Sequence, residues 1–412
     1  MREPIVKSFL ETDFYKLSMG QFVLHNYPNV DVTFGFKCRT AGAQLANHIP
    51  ENALRAELDH VLTLRPSVQE LEYLAGLKTA GGTRLFQNDF LYSLSCIKLP
   101  KYQLGRTGED SYNLTFTGKW PEVIYWETYA LPIISQLYYE HMLDTNGVVA
   151  AYREGNRRLR EKITVFKKHP EIRFIDFGLR RAFSKRWHEN VVRTLKQELT
   201  PEQFVGSSTV NLAMKYGLKP TGTMAHELFM VFAALIDAEG GDITLVQDKV
   251  LNEWWDEYGE ELSVALTDTF TSDFFFRTMT PAQARKWRGL RQDSGDPLTF
   301  AQKTLEFYFQ LLGINPHSKI IVFSDSLDVN KMVQIANYCE GKIGHLYGVG
   351  TNLSNDLGIP PLSIVIKAIG ANGTGTVKLS DNLAKATGSH VNIQRYMREF
   401  QTGEISREEV RY

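Results

Sequence analysis

The first candidate for chemistry is a histidine that follows a glycine–threonine turn. His226 stands in GTMAHE, residues 222–227, in a chain of 412 residues with only 10 histidines. An imidazole can be a metal ligand, a general base, a nucleophile or a hydrogen-bonded core residue. No further metal-binding side chain lies at helical spacing from it, and the chain has no HExxH, CxxC or GxSxG motif. The local sequence therefore leaves the role of His226 open.

Two arginines and an aromatic ring follow an apolar run further upstream. The stretch FIDFGLRRAFS places Phe177, Arg180 and Arg181 between a predicted strand and a predicted helix. A guanidinium offers a planar fork of donors to a carboxylate or phosphate, and a phenyl ring can stack on a flat ligand. We favour anion binding over the alternative that both arginines are solvated residues at a helix start.

A dense polar turn, RQDSGDP, contains Arg291, Asp293, Ser294 and Asp296. The two aspartates can bind Mg²⁺ through water or hold sugar hydroxyls, and Ser294 can direct backbone donors toward an anion. The structural alternative is an N-cap, and we expect Asp296 to cap the helix that begins with the next proline. That capping role does not explain Arg291 and Asp293.

Two more turns follow predicted strands. FSDSLD supplies Asp325, and it supplies Asp328 as the expected cap of the next helix. GVGTN supplies Gly350 and Thr351, whose backbone N–H groups can surround a phosphate. A bare GxG is weak, and neither a Walker loop nor a dinucleotide-binding GxGxxG is present. Together these turns suit a small planar carboxylate, a ribose and at least one phosphate.

The elements that position these turns alternate between strand and helix. From about residue 170, short apolar runs end in polar turns and lead into helices, which predicts parallel strands joined by right-handed crossovers. The number of units favours an irregular α/β barrel over a doubly wound sheet, with its site where strands end. Residues 1–145 predict a separate α/β unit, residues 146–360 the barrel, and residues 361–412 a segment that rejoins the first unit.

Composition excludes several classes of protein. The hydrophobic share of 43% and the charged share of 23% are ordinary for a globular enzyme, and 46 basic against 47 acidic residues give no reason to expect a nucleic-acid partner. The three cysteines are scattered, which suits a reducing cytoplasm. No apolar run is long enough to span a bilayer, and the first residues do not resemble a secretory signal.

Six motifs in order give the chain a specific resemblance. TDFYKLSMGQ, FIDFGLRRAFS, GTMAHE, RQDSGDP, FSDSLD and GVGTNLSND make the sequence similar to nicotinate phosphoribosyltransferases, which are type II phosphoribosyltransferases, over nearly its whole length. The resemblance implies an N-terminal α/β sandwich-like domain, an irregular barrel and a homodimer with sites between subunits. It implies synthesis of nicotinate mononucleotide and pyrophosphate from nicotinate and phosphoribosyl pyrophosphate, coupled to ATP hydrolysis, for NAD biosynthesis.

The resemblance also implies roles for single residues around nicotinate. Phe177 is expected against the pyridine ring, with Arg180 holding the carboxylate or the adjacent phosphate. Tyr15 is expected on the opposite face, supplied by a partner subunit if the family's dimer holds. In the sister nicotinamide enzyme an aspartate occupies the position that matches Ser208. A hydroxyl at that position favours nicotinate over nicotinamide.

For the sugar and its phosphates, displacement at ribose C1 calls for Mg²⁺ and carboxylates rather than a protein nucleophile. Asp293 and Asp325 are expected to hold ribose hydroxyls or the hydrated metal. Arg291 is expected to neutralise the leaving pyrophosphate, and Gly350 and Thr351 to bind the 5′-phosphate.

The resemblance assigns His226 as the residue that ATP phosphorylates, because coupling to ATP requires a place to store the phosphoryl group. Whether the adjacent Glu227 orients the ring is left open. The alternatives are nicotinamide phosphoribosyltransferase, a phosphosugar lyase or aldolase on the same barrel, and a ligand-binding barrel without turnover. Quinolinate phosphoribosyltransferase is disfavoured by the GTMAHE motif.

Overall fold

The secondary structure follows the predicted alternation closely. The computed structural model describes residues 3–408. The strands within that range are β1 Asp31–Cys38, β2 Tyr102–Thr107, β3 Ser111–Lys119, β4 Phe174–Asp176, β5 Phe204–Ser207, β6 Lys219–Pro220, β7 Val264–Leu266, β8 Gly289–Gln292, β9 Ile320–Phe323, β10 Gly344–Val349, β11 Ile364–Ala371 and β12 Thr374–Gly375.

The α-helices of the same range, in chain order, are α1 Phe14–Asn26, α2 Leu45–His48, α3 Glu51–Val61, α4 Val68–Gly76, α5 Asn88–Ser95, α6 Trp120–Val123, α7 Trp126–Met142, α8 Thr145–Lys168, α9 Lys185–Glu198, α10 Val210–Tyr216, α11 His226–Ala238, α12 Val246–Tyr258, α13 Ser272–Thr278, α14 Pro281–Lys286, α15 Pro297–Leu305, α16 Val329–Cys339, α17 Thr351–Ser354 and α18 His390–Glu399. None of these helices combines the length and the apolarity of a membrane-spanning segment.

An antiparallel sheet joins the two ends of the chain. Its strand order is β12-β11-β1-β3-β2, so β1 lies in the middle between β3 and a strand from near the C-terminus. Val32 pairs with Ala371, and Phe34 pairs with Phe116. Both β1 side chains are buried, as the alternation of apolar and polar residues predicted. The expectation that the C-terminal part completes the N-terminal unit is confirmed.

The second sheet is parallel and curved into an incomplete barrel. Its order is β6-β5-β4-β10-β9-β8-β7, with neighbouring strands parallel throughout and with β6 and β7 at its edges. Helices connect the successive strands, as a parallel sheet requires. The predicted irregular α/β barrel is therefore confirmed, while the boundaries after residues 145 and 360 remain predictions.

The strand register brings the polar turns to one rim of the barrel. Val349 lies opposite Asp176, and Asp176 lies opposite Ser207. Gln292 pairs with Phe323 on the neighbouring strands. The residues that follow these strand ends therefore meet at the carboxyl edge, where barrel sites are built.

Two largely buried helices, α1 and α11, pack against each other. The first ten residues of α1 are buried, and Phe22 of α1 stacks on Phe232 of α11 at 6.1 Å between ring centroids. A helix that is apolar on all sides belongs in a core. Helix α11 begins at His226, so the burial of this helix places the imidazole inside the protein.

The last described part of the chain closes over the barrel. Leu379 N donates to Thr269 O at 2.8 Å, and Asp381 accepts from Ser272 N at 2.7 Å. Further on, Phe400 of the turn after α18 stacks on Phe270 at 4.4 Å. We call residues 376–385 the closing segment, because they lie across the loops that follow β7 and β8.

Candidate active site

A cavity at the carboxyl rim of the barrel gathers most of the predicted site residues. Eight of them line it, namely Phe177, Arg180, His226, Arg291, Asp293, Asp325, Gly350 and Thr351. They come from the ends of four strands, β4, β8, β9 and β10, and from the start of α11. The parallel register of the strands therefore brings residues that are far apart in the sequence into one site.

Three other predicted residues do not line this cavity. Ser294 is buried and donates its hydroxyl to Asp268 Oδ2 at 2.6 Å. Ser208 donates to Asp13 Oδ1 at 2.6 Å, because its loop pairs with the start of α1. The two hydroxyls therefore orient buried carboxylates, and their expected contacts with substrate stay predictions.

Tyr15 also lies behind the cavity wall, and it belongs to the same chain as Arg180. The guanidinium carbon of Arg180 is 5.5 Å from the centre of the Tyr15 ring. The phenol donates to Glu127 Oε2 at 3.1 Å. Tyr15 and Arg180 of one chain are therefore neighbours, and the expectation that a partner subunit supplies a Tyr15 to the site stays a prediction.

His226 is held at both ring nitrogens. Nδ1 lies 3.1 Å from Thr269 Oγ1, and Nε2 lies 2.9 Å from Asp293 Oδ2. Nε2 is also 3.0 Å from Lys378 Nζ. The ring is buried at the first residue of α11, where the positive end of the helix dipole favours a neutral imidazole or an attached anion.

Burial and the Lys378 ammonium lower the pKa of His226 to about 4, although Asp268 and Asp293 oppose the shift. The imidazole is therefore neutral at pH 7, with one nitrogen carrying a lone pair. A neutral imidazole with a fixed orientation can act as a nucleophile or a base.

Asp268 and Lys378 are the main residues that the sequence interpretation missed. Asp268 Oδ1 is 3.6 Å from His226 Nε2 and has no hydrogen-bond partner in the described part of the chain, while Lys378 Nζ is 3.4 Å from Oδ2. Asp268 is the second residue after β7, so its place near a strand end was the available signal. Lys378 comes from the closing segment, and no local motif marked it.

Arg291 and Asp293 form the centre of a second network. Arg291 donates to Asp293 Oδ1 at 3.1 Å and to Ser324 Oγ at 2.9 Å. The same guanidinium lies 5.6 Å from the centre of the Phe177 ring. Although burial opposes it, the charge of Arg291 together with His226 holds the pKa of Asp293 well below its usual range. A rigid cation thus stands beside a flat apolar ring.

Phe177 has a fixed position because a glycine faces it. A Cβ on Gly348 would lie 2.3 Å from the phenyl ring, much closer than carbon atoms approach. Phe177 N also donates to Val349 O at 2.8 Å. Glycine at this point of β10 therefore makes the room that the ring occupies beside the cavity.

Two carboxylates hold the Arg180 side chain in position. Its Nη1 donates to Glu127 Oε1 at 3.1 Å, and its Nε lies 3.3 Å from Asp13 Oδ2. Although burial acts to lower the pKa of Arg180, the nearby Tyr15, Glu127 and Asp13 raise it above its usual value. With part of its fork facing the cavity, Arg180 is oriented to receive an anion.

The two carboxylates proposed for a metal face the cavity already paired. Asp293 is bound by Arg291 and Asp325 by Lys385, so both suit an ion held through water better than an ion bound directly. His226, Asp268 and Asp293 place ligand atoms within 4.8 Å of one another. In that cluster the Lys378 ammonium already supplies the positive charge, so a direct ion does not fit there.

The remaining wall of the cavity is strongly cationic. Besides Arg180 and Arg291, the lining cations are Arg39, Arg181, Lys367, Lys378 and Lys385. The acidic lining residues are Glu127, Asp293 and Asp325. Such an excess of positive charge suits a ligand with several phosphate or carboxylate groups.

Comparison with known proteins decides the family. The sequence model described as the nicotinate phosphoribosyltransferase (NAPRTase) family matches residues 172–404, and the model of its N-terminal domain matches residues 10–135. The chain belongs to the nicotinate phosphoribosyltransferase family. The resemblance derived from the six motifs is thereby confirmed.

Solved structures of the family share the whole architecture. Nicotinate phosphoribosyltransferase from Porphyromonas gingivalis is 29% identical, with a TM-score of 0.86 over 97% of this chain and 100% of the other. The Vibrio cholerae enzyme is also 29% identical, with a TM-score of 0.87 over 98% and 96%. A putative nicotinate phosphoribosyltransferase from Saccharomyces cerevisiae is 28% identical, with a TM-score of 0.85 over 97% and 99%.

Proposed function

We propose that the protein is an ATP-coupled nicotinate phosphoribosyltransferase of NAD biosynthesis. The observation that carries the proposal is the single cationic cavity in which the Phe177 ring, two arginines and His226 meet. Family membership supports the same reaction. Nicotinate and phosphoribosyl pyrophosphate give nicotinate mononucleotide and pyrophosphate, while ATP gives ADP and phosphate.

The flat substrate lies against Phe177, with its carboxylate or the neighbouring phosphate on Arg180. Arg291 stands beside the same ring, where it neutralises charge on the departing pyrophosphate. The pyridine nitrogen attacks ribose C1 as the bond to pyrophosphate breaks, so no protein nucleophile is consumed in this step. Gly350 and Thr351 at the end of β10 bind the 5′-phosphate.

Asp293 and Asp325 would hold Mg²⁺ through its water shell or receive the ribose hydroxyls. When bound, the ion would neutralise charge on the substrate phosphates. The carboxylates themselves fix the sugar relative to Phe177 and Arg180. Arg291 and Lys385 hold the two carboxylates in place at the cavity wall.

His226 stores the phosphoryl group of ATP. Nε2 attacks the γ-phosphorus, the bond to ADP breaks, and water later releases phosphate from the imidazole. The attacking tautomer carries its proton on Nδ1, which donates to Thr269 Oγ1. Its Nε2 lone pair accepts from Lys378 in the empty cavity, so the γ-phosphate must displace both Lys378 and the Asp293 oxygen from Nε2 before the attack. Lys378 and the start of α11 stabilise the added negative charge, since both present positive charge beside Nε2.

The decisive experiment offers the purified protein phosphoribosyl pyrophosphate with nicotinate, nicotinamide or quinolinate, each with and without ATP. We expect pyrophosphate release with nicotinate, stimulated by ATP. Preference for nicotinamide would assign the sister activity. Binding without release would leave a ligand-binding barrel, and cleavage of a phosphosugar without a pyridine would point to a lyase. The homodimer is a separate prediction, measured by light scattering.

A further inference from the structure

Two side chains at the end of α17 hold the turn of residues 177–181, which carries the aromatic ring and the arginine proposed to hold nicotinate. We call these residues the ring turn. Ser354 Oγ donates to Gly178 O at 2.8 Å, and Asn355 Nδ2 donates to Arg181 O at 2.8 Å. Both side chains are buried, and neither is among the residues that line the cavity. The ring turn is thus held by groups that lie behind the site.

The same two residues are bound to the turn proposed for the 5′-phosphate. Ser354 N donates to Gly350 O at 3.1 Å, and Asn355 N donates to Thr351 O at 2.8 Å. Gly350 and Thr351, which we call the phosphate turn, both line the cavity. The end of α17 therefore contacts the phosphate turn through its backbone and the ring turn through its side chains.

The two turns also pack closely against each other. A Cβ on Gly178 would lie 2.6 Å from Ser354 Cβ, and a Cβ on Gly350 would lie 3.2 Å from Phe177 O. Phe183 N, two residues after the ring turn, donates to Ser354 O at 3.0 Å. A displacement of α17 would therefore displace the ring turn as well, because close packing transmits such a shift.

A second buried serine holds the ring turn from a different helix. Ser135 of α7 donates its hydroxyl to Ala182 O at 2.7 Å, and Ala182 follows the ring turn directly. Two hydroxyl-to-carbonyl hydrogen bonds of the same kind thus support this part of the chain. Of the two, only the bond from Ser354 comes from the helix that begins at the phosphate turn.

We propose that Ser354 and Asn355 are positioning residues that couple the phosphate turn to the ring turn. A phosphate bound by the backbone N–H groups of the phosphate turn restricts α17, and the two side chains then hold the carbonyls of the ring turn in one position. Ordering the ring turn in advance lowers the free-energy cost of binding nicotinate. This inference deepens the proposed function and rests on its assignment of Gly350 and Thr351 to the 5′-phosphate.

The test measures nicotinate binding by titration calorimetry, with and without saturating ribose 5-phosphate. The wild-type protein should bind nicotinate about fivefold more tightly, or more, when ribose 5-phosphate is present. Ser354→Ala should reduce this factor to about twofold or less, and Asn355→Ala should reduce it as well. Ser135→Ala is the matched control and should keep the wild-type factor, because it removes an equivalent hydrogen bond that comes from α7.

Hydrogen exchange measures the coupling at the ring turn itself, without nicotinate. Ribose 5-phosphate should slow amide exchange of residues 177–183 in the wild-type protein and in Ser135→Ala, and it should have a much smaller effect in Ser354→Ala. The melting temperatures of the two serine variants should fall by similar amounts, since each variant loses one buried hydrogen bond. A purely structural role of Ser354 would therefore change stability but leave the coupling intact. The wild-type exchange result serves even if Ser354→Ala fails to fold.

Three results would overturn the inference: an unchanged coupling factor in Ser354→Ala, an equal loss of coupling in Ser135→Ala, or unchanged exchange of residues 177–183 when the wild-type protein binds ribose 5-phosphate. A wild-type protein that does not bind ribose 5-phosphate overturns it too. If ribose 5-phosphate protects the ring turn, but nicotinate neither binds nor reacts with phosphoribosyl pyrophosphate, the proposed function fails alone. The exchange measurement then still supports the coupling.

Discussion

Glu227 follows His226 directly in the chain, yet its carboxylate binds Lys16 rather than the imidazole. Glu227 Oε2 lies 2.5 Å from Lys16 Nζ, and Oε1 accepts from Trp120 Nε1 at 2.6 Å. Asp293 and Thr269 contact the ring instead. Glu227 therefore anchors the first turn of α11, and the orientation of the imidazole depends on residues distant in sequence.

The first prediction distinguishes the role of His226 from that of Glu227. After incubation with γ-labelled ATP, the wild-type protein should carry an acid-labile, base-stable phosphoryl group, and His226→Asn should carry none. The variant should also lose ATP stimulation while retaining some ATP-independent transfer. Glu227→Gln is the control and should still be labelled, since it keeps an oxygen for Trp120. Undiminished labelling of His226→Asn would place the phosphoryl group on another residue.

The pH dependence of labelling follows from the burial of His226. An imidazole with an ordinary pKa of about 6.5 would lose about three quarters of its neutral form at pH 6. With a pKa of about 4, the neutral ring persists at pH 6, and protonation removes the nucleophile only as the pH falls through about 4. Labelling rates at saturating ATP should therefore be nearly flat from pH 8 to pH 6. A steep fall near pH 6.5 would contradict the burial argument.

The third prediction concerns the buried lysine that joins Glu127 to Glu227. Lys16→Met should reduce the free energy of unfolding by about 3–5 kcal/mol, because Glu227 would stay buried without the one cation that pairs with it in residues 3–408. Adding Glu227→Gln should recover much of the loss, since the amide removes that charge. Urea denaturation measures both variants. Lys249→Met, in an exposed pair with Glu253, should change stability by less than about 1 kcal/mol.

Two aspartates of the same turn should respond in opposite ways. Asp293→Asn should lower phosphoribosyl transfer about 100-fold with little change in melting temperature, because Asp293 joins His226 and Arg291 in the cavity. Asp296 caps α15 by accepting from Thr299 N at 2.7 Å. Asp296→Ala should therefore cost about 1 kcal/mol of stability and leave transfer nearly unchanged. If Asp293→Asn unfolds the protein, then Asp293 has a structural role rather than a role in the transfer reaction.

The predictable part of the structure rests on local patterns. Alternating strands and helices indicated the barrel, and Asp296 and Asp328 were recognised as helix caps from sequence alone. Residues that directly follow strands, such as Phe177 and Asp293, reach the cavity because the parallel register aligns those ends.

The less predictable part depends on side-chain direction and on distant pairing. Ser294 is next to Asp293, yet it points to Asp268 because neighbouring residues in a turn face different ways. Lys367 and Lys378 reach the cavity only because β11 pairs with β1. Hydrophobic alternation predicts a strand but does not choose its neighbour.

The pairing of β1 with β11 has a consequence during synthesis of the protein. Val32 leaves the ribosome more than three hundred residues before its partner Ala371, so the middle strand of the first sheet must wait for almost the whole chain. Meanwhile one edge of β1 exposes unpaired backbone groups, which invite pairing with other chains. Closing so long a loop is also slow. The nascent protein should therefore need protection by chaperones until its last strand emerges, and a chain released before β11 should aggregate.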